Sequence, residues 1–194
     1  MTAHPTGAAS DLSIPVPKGS TPDGAGIAVG AGPVPIDVYI DFQCPFCRQF
    51  EVMARPTLDK LLADGVATLI FHPMNFLDGV SPTAYSTRAA AASGAAADYD
   101  RFYEYSHELF VNQPPEGGPG LTDGQLLELG LGIGLRDPGF AEAIRVGRYL
   151  PWPSYVTERA VGRGVAGTPS VFVRGIPVAA RPAPILAAVD AAVG

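Results

Sequence analysis

Only two cysteines occur in 194 residues, too few to staple a chain of this length into a disulfide scaffold. Cationic residues are also scarce. Thirteen Lys and Arg stand against 19 Asp and Glu, a formal charge of −6, and they form no cluster suited to a nucleic-acid backbone. No apolar run approaches the about 18 residues of a membrane span. The first residues, Met1-Thr2-Ala3-His4-Pro5-Thr6-Gly7, hold neither a basic segment nor an apolar core, so the chain as given shows no export signal. On that reading it is cytoplasmic if complete, and of the cell envelope or secreted if such a segment was removed. Hydrophobic residues, by contrast, make up 47% of the chain, enough for one cored domain with or without an insertion.

The two cysteines, Cys44 and Cys47, fall in the stretch Asp41-Phe42-Gln43-Cys44-Pro45-Phe46-Cys47. Before them, Ile36 to Phe42 alternates apolar and polar residues with β-branched and aromatic side chains, the pattern of a strand with a buried face. After them the period becomes helical: Phe46, Phe50, Met53, Leu58, Leu61 and Leu62 fall near one face, with Gly65 at the end. Pro45 suits a first helical turn, and Pro56 predicts a kink. Cys44 is thus expected where a strand ends and a helix begins, near unpaired N–H groups and the positive end of the helix dipole, an environment that favours thiolate.

Residues 1–25, rich in Pro, Gly, Ser and Thr, read as an extended or flexible N-terminal arm. Gly26 to Gly30 reads as a short strand, and Val66 to Pro73 as a second core strand that completes a βαβ unit with the first. Residues 81–164 change character. Tyr85–Ala97, Tyr99–Val111 and Ser154–Arg163 read as helices, Thr122-x-x-Gln125 has the form of a capping box, and Asp137-Pro138 is an N-cap followed by proline. Strands return at Pro169–Arg174 and Ile176–Ala179 as a hairpin, and Pro182 or Pro184 opens a last helix.

This order, strand, helix, strand, helical block, hairpin, helix, resembles the thioredoxin fold with an inserted helical subdomain, as in the DsbA-like thiol–disulfide oxidoreductases. Two stretches carry the resemblance: Asp41 to Cys47, and Gly164-Val165-Ala166-Gly167-Thr168-Pro169-Ser170-Val171-Phe172-Val173. It implies an α/β fold with residues 26–80 and 165–194 as the thioredoxin-like domain and 81–164 as the helical insertion. It also implies a cis Thr168–Pro169 bond facing the cysteines, where Thr168 offers backbone groups to an extended substrate. Cys44 would exchange disulfides and Cys47 resolve them, with Pro45, Phe46 and Asp41 as modulators. The strongly oxidising DsbA type carries histidine at the place of Phe46. Many relatives bear a buried acid where this chain has Val38, with Asp37 and Asp41 close by. The implied partners are protein or peptide thiols and an unidentified redox partner, with no cofactor and no metal. Other readings of the pair are a zinc half-site completed by His4, His72 or His107, or an inert disulfide. At the level of function the alternatives are a transferase or isomerase using a thiol cofactor such as glutathione, and a redox-silent peptide-binding module.

Overall fold

The computed structural model describes residues 13–193. Strand β1 (Ile27–Val29) leads into β2 (Val34–Ile40), helix α1 (Pro45–Ala63) and strand β3 (Ala67–Pro73). A 3-10 turn (Phe76–Val80) then opens the helical block: α2 (Tyr85–Ala97), α3 (Phe102–Val111), α4 (Asp123–Gly132), α5 (Pro138–Arg145) and α6 (Trp152–Gly162). The chain closes with β4 (Ser170–Val173), β5 (Ile176–Val178) and α7 (Pro182–Val193). The sheet order is β1-β3-β2-β4-β5; β2 and β3 run parallel, and the other pairs are antiparallel. Among the described residues no helix is long and apolar enough to cross a membrane.

The parallel β2–β3 pair demands a crossover, and α1 supplies it. That helix runs through Pro56 as one element. Its buried face is Cys47, Phe50, Ala54, Leu58 and Leu61, at helical spacing. Phe46 and Met53, expected on that face, instead point outward at 66% and 50% exposure. Helices α1 and α7 pack on each other and against the sheet, α6 packs on β3, and α2 sits at the centre of the insertion. A single buried core runs from Ile36 and Leu69 in the sheet to Phe102, Tyr105, Leu109 and Trp152 in the helices.

The helix caps follow the sequence. Thr122 accepts from the Gln125 N–H while the Gln125 side chain returns to the Thr122 N–H, and Asp137 accepts from the Gly139 N–H at 2.8 Å. Three strands, β1, β3 and β4, begin one residue later than expected, and two helix starts differ as well. α3 begins at Phe102 because Tyr99 to Arg101 form a turn with Asp100 at φ 59°, and α6 begins at Trp152, two residues early. Of the N-terminal arm, residues 1–12, His4 among them, lie outside the described residues. Residues 13–25 are tied to the body: Trp152 Nε1 donates to Gly24 O at 2.8 Å, Tyr155 Oη to Asp23 O at 2.6 Å, and the Arg163 guanidinium pairs with Asp23 at 2.6 Å.

Candidate active site

The strand that leads to the cysteines stops at Ile40 because Asp41 takes over the next hydrogen bonds. Its Oδ1 accepts from the Gln43 N–H at 2.8 Å and from Ser86 Oγ at 2.7 Å, and its Oδ2 accepts from the Leu77 N–H at 3.0 Å. An Asx turn of this kind competes with a strand ladder and points the chain into a helix. The Cys44 N–H donates back to Asp41 O at 3.0 Å, and Cys44 becomes the N-cap of α1, with Pro45 at the first helical position. Asp41 is fully buried and joins the turn to α2 and the 3-10 segment.

Both cysteines are free thiols, Cys44 at 6% exposure and Cys47 at none. Across from them the Thr168–Pro169 bond is cis, and Thr168 O lies 3.4 Å from Cys44 Sγ although 124 residues separate the two. Cys47 Sγ accepts from the Asp41 N–H at 3.4 Å. The thiols titrate in opposite directions. A hydrogen bond from the Cys47 thiol brings Cys44 down to about 6, against the cost of burial and with help from the N–H groups of Cys47 and Phe46 and from Thr168. Burial pushes Cys47 well up, and the charge on Cys44 pushes it further. Burial also raises the Asp41 carboxyl, to about 6, although its hydrogen bonds from Ser86, Gln43 and Leu77 favour the ionised form.

All seven residues singled out from the sequence, Asp41, Cys44, Pro45, Phe46, Cys47, Thr168 and Pro169, thus fall in two facing segments, the β2–α1 turn with the first turn of α1 and the loop before β4. The two histidines among the described residues, His72 and His107, are engaged elsewhere. His72 is buried, with Nδ1 2.7 Å from Ala25 O and Nε2 2.9 Å from Asp37 Oδ1, and it stacks on Tyr39; His107 Nδ1 lies 3.0 Å from Glu51 Oε1. Glu51 is buried and also holds Arg55 at 2.7 Å. Two glutamines belong to the site without any signal in the sequence. Gln43 is buried in the turn, and Gln113 reaches it from the insertion. Beside Pro45 an open cavity of about 550 Å³ is lined by Arg48, Gln49, Val52, Met53 and Gln113.

A family model described as thioredoxin matches residues 24–191. DsbA from Mycobacterium tuberculosis in its reduced form superposes with a TM-score of 0.76 at 28% identity, covering 88% of this chain and 93% of that one. Reduced DsbG from the same organism, titled a disulfide bond oxidoreductase, gives 0.76 at 29% identity and 89% of both chains. The serine/threonine-protein kinase PknE of M. tuberculosis is 30% identical over 161 residues, 77% of this chain but 28% of its own length. The chain therefore spans less than a third of that curated relative. Because the family match runs through both the cysteine pair at the strand–helix junction and the Thr168–Pro169 segment opposite, the chain belongs to the thioredoxin family, and its helices between β3 and β4 give it the DsbA-like form of that fold.

Proposed function

We propose that this chain is a thiol–disulfide oxidoreductase in which Cys44 exchanges and Cys47 resolves. The observation that carries the reading is the unequal placement of the two sulfurs: Cys44 stands at the N-cap of α1, 3.4 Å from Thr168 O, where its pKa is lowered to about 6 and the nucleophilic thiolate is favoured, while Cys47 is fully buried one turn deeper and its pKa is raised. In the oxidising direction a substrate thiolate attacks Cys44 Sγ of the Cys44–Cys47 disulfide. A mixed disulfide forms to Cys44, and Cys47 leaves with the electron pair and takes up a proton. A second substrate thiolate then attacks the substrate sulfur of the mixed disulfide, Cys44 leaves as thiolate, and two electrons have passed from substrate to enzyme. The reverse sequence reduces a substrate disulfide, and a second redox couple returns the enzyme to its starting state.

Protein or peptide thiols fit this arrangement. Thr168 and Pro169 stand beside Cys44, and an extended segment pairing with the Thr168 backbone would bring its cysteine to Sγ without reading its neighbours. Pro45 and Phe46 modulate from the first helical turn, and Asp41 from beneath it. The test is trapping. Cys47→Ser, whose Cys44 thiolate attacks a disulfide and releases the other sulfur as a thiol, should accumulate a mixed disulfide between Cys44 and a model peptide supplied as an intermolecular disulfide, whereas Cys44→Ser should be inactive and trap nothing. Equal trapping by both variants would refute the assigned roles.

A further inference from the structure

Gln113 stands in the loop 112–120 between α3 and α4, whose Pro-Pro and Gly-Gly-Pro-Gly composition gives no reason to expect a working side chain. Its Nε2 donates to two carbonyls of the active-site turn, Phe42 O at 3.0 Å and Cys44 O at 2.9 Å. A primary amide has two N–H donors, and both are spent here. The Cys44 carbonyl is also the first acceptor of α1, receiving the N–H groups of Cys47 at 3.0 Å and Arg48 at 3.2 Å. Because the next residue is Pro45, the Cys44–Pro45 peptide has no N–H, so its carbonyl is its one polar handle.

The loop that carries Gln113 is itself braced. Gln43 Nε2 donates to Gly118 O at 3.1 Å and Ser81 Oγ to the same oxygen at 3.0 Å, while the Arg88 guanidinium donates to Pro119 O at 3.0 Å and to Leu121 O at 2.7 Å. Gly120, at φ 70°, lies so close to Tyr85 that a Cβ there would run into the ring. A fixed donor pair thus spans the peptides on either side of the Gln43–Cys44 segment, anchored in the insertion rather than in the sheet.

We infer that Gln113 is a positioning residue for the exchange reaction: its amide clamps the Cys44 and Phe42 carbonyls, holds Cys44 Sγ toward Thr168 and the first N–H groups of α1, and so lets the helical insertion set the reactivity of the cysteine. This rests on the reading of Cys44 as the exchanging thiol. Without the clamp the Cys44–Pro45 peptide is held by the helix bonds alone, and the sulfur samples orientations that leave its donors. Cys47 and Asp41, the titratable groups that act on Cys44, remain in place.

Gln113→Met keeps the length of the side chain and removes both donors. Asn112→Ala, whose amide bonds among the described residues to Glu108 alone, within its own helix end, is the control. The readouts are the pH dependence of Cys44 alkylation by iodoacetamide in the reduced protein and the equilibrium of the pair with glutathione. In Gln113→Met the alkylation midpoint should move to higher pH, the rate near pH 6 should fall several-fold, and the glutathione equilibrium should shift several-fold toward the enzyme disulfide. Asn112→Ala should coincide with the parent. A Gln113→Met protein that matches the parent in both readouts would overturn the clamp. If that variant does not fold, NMR of the parent decides: the Gln113 side-chain amide protons should move as Cys44 titrates, and amide signals indifferent to that titration overturn the inference. A parent that fails to exchange with glutathione at all refutes the proposed function, while its alkylation profile still tests the clamp.

Discussion

At the scale of single residues, the chemistry depends on how unequally two sulfurs share one turn of helix. Cys44, at the N-cap, collects the thiol of Cys47 and the first backbone N–H groups, all of which favour its charge; Cys47, one turn deeper and fully buried, finds a single N–H at 3.4 Å. Alkylation of Cys44 should therefore show a midpoint near pH 6. Between the sulfurs, the Phe46 side chain is 66% exposed and supplies no donor beyond the backbone N–H. Phe46→His adds a donor and partial positive charge at that place, so it should lower the Cys44 midpoint and make the pair more oxidising. The direction runs from thioredoxin, about −270 mV, toward DsbA, about −120 mV. A glutathione titration of Phe46→His that gives an unchanged or more reducing potential would show that the intervening dipeptide does not set the poise. Cys44, Cys47 and the Thr168–Pro169 pair were legible because each is marked by residue type and by its place before or after a strand. Gln113 was not: it reaches Cys44 across 69 residues, and neither an amide side chain nor a Pro-rich loop announces such a contact.

At the scale of elements, local rules succeed where the decisive interaction is local. The capping box at Thr122 and the Asp137-Pro138 start are complete within four residues, so the sequence contains their whole cause. They fail where a tertiary partner decides. β2 ends at Ile40 rather than Phe42 because Asp41 is engaged by Ser86 and Leu77, residues of the insertion and the turn before it. The apolar face assigned to α1 included Phe46 and Met53 by periodicity, yet these flank the open side beside the cysteines. The insertion's outer helices should be separable from the chemistry. Asp137 caps α5 and also accepts from Tyr99 Oη at 3.0 Å, and neither bond involves a residue of the cysteine turn or the loop before β4. Asp137→Ala should lower unfolding stability by about 1 kcal/mol in urea while leaving the pH profile of Cys44 alkylation where it was. A displaced profile would mean that α5 is coupled to the site.

At the scale of the whole molecule, the proton inventory of the two redox states predicts how the potential depends on pH. Below about pH 6 the reduced protein carries two protonated thiols, and oxidation releases two protons with two electrons. The potential then falls by about 59 mV per pH unit, the slope of one proton per electron. Above that pH Cys44 is already a thiolate while Cys47 keeps its proton, so oxidation releases one proton for two electrons and the slope halves to about 30 mV. The stability of the reduced fold follows the same group: because the folded pKa of Cys44 lies below that of a free thiol, its contribution is complete above about pH 8.5 and is lost as pH falls through about 6. Asp41 blurs the break. Its carboxyl titrates in the same region and is held up further by the Cys44 thiolate, so oxidation near pH 6 also releases part of its proton. Asp41→Asn removes that neighbour, and the break should become sharper and move to lower pH, since the thiolate no longer forms beside a carboxylate. Glutathione titrations from pH 5 to 8 on both proteins measure it. A parent slope that stays near 59 mV throughout would mean that Cys44 holds its proton at neutral pH, and an Asp41→Asn break at unchanged pH would mean that the buried acid and the thiolate do not interact.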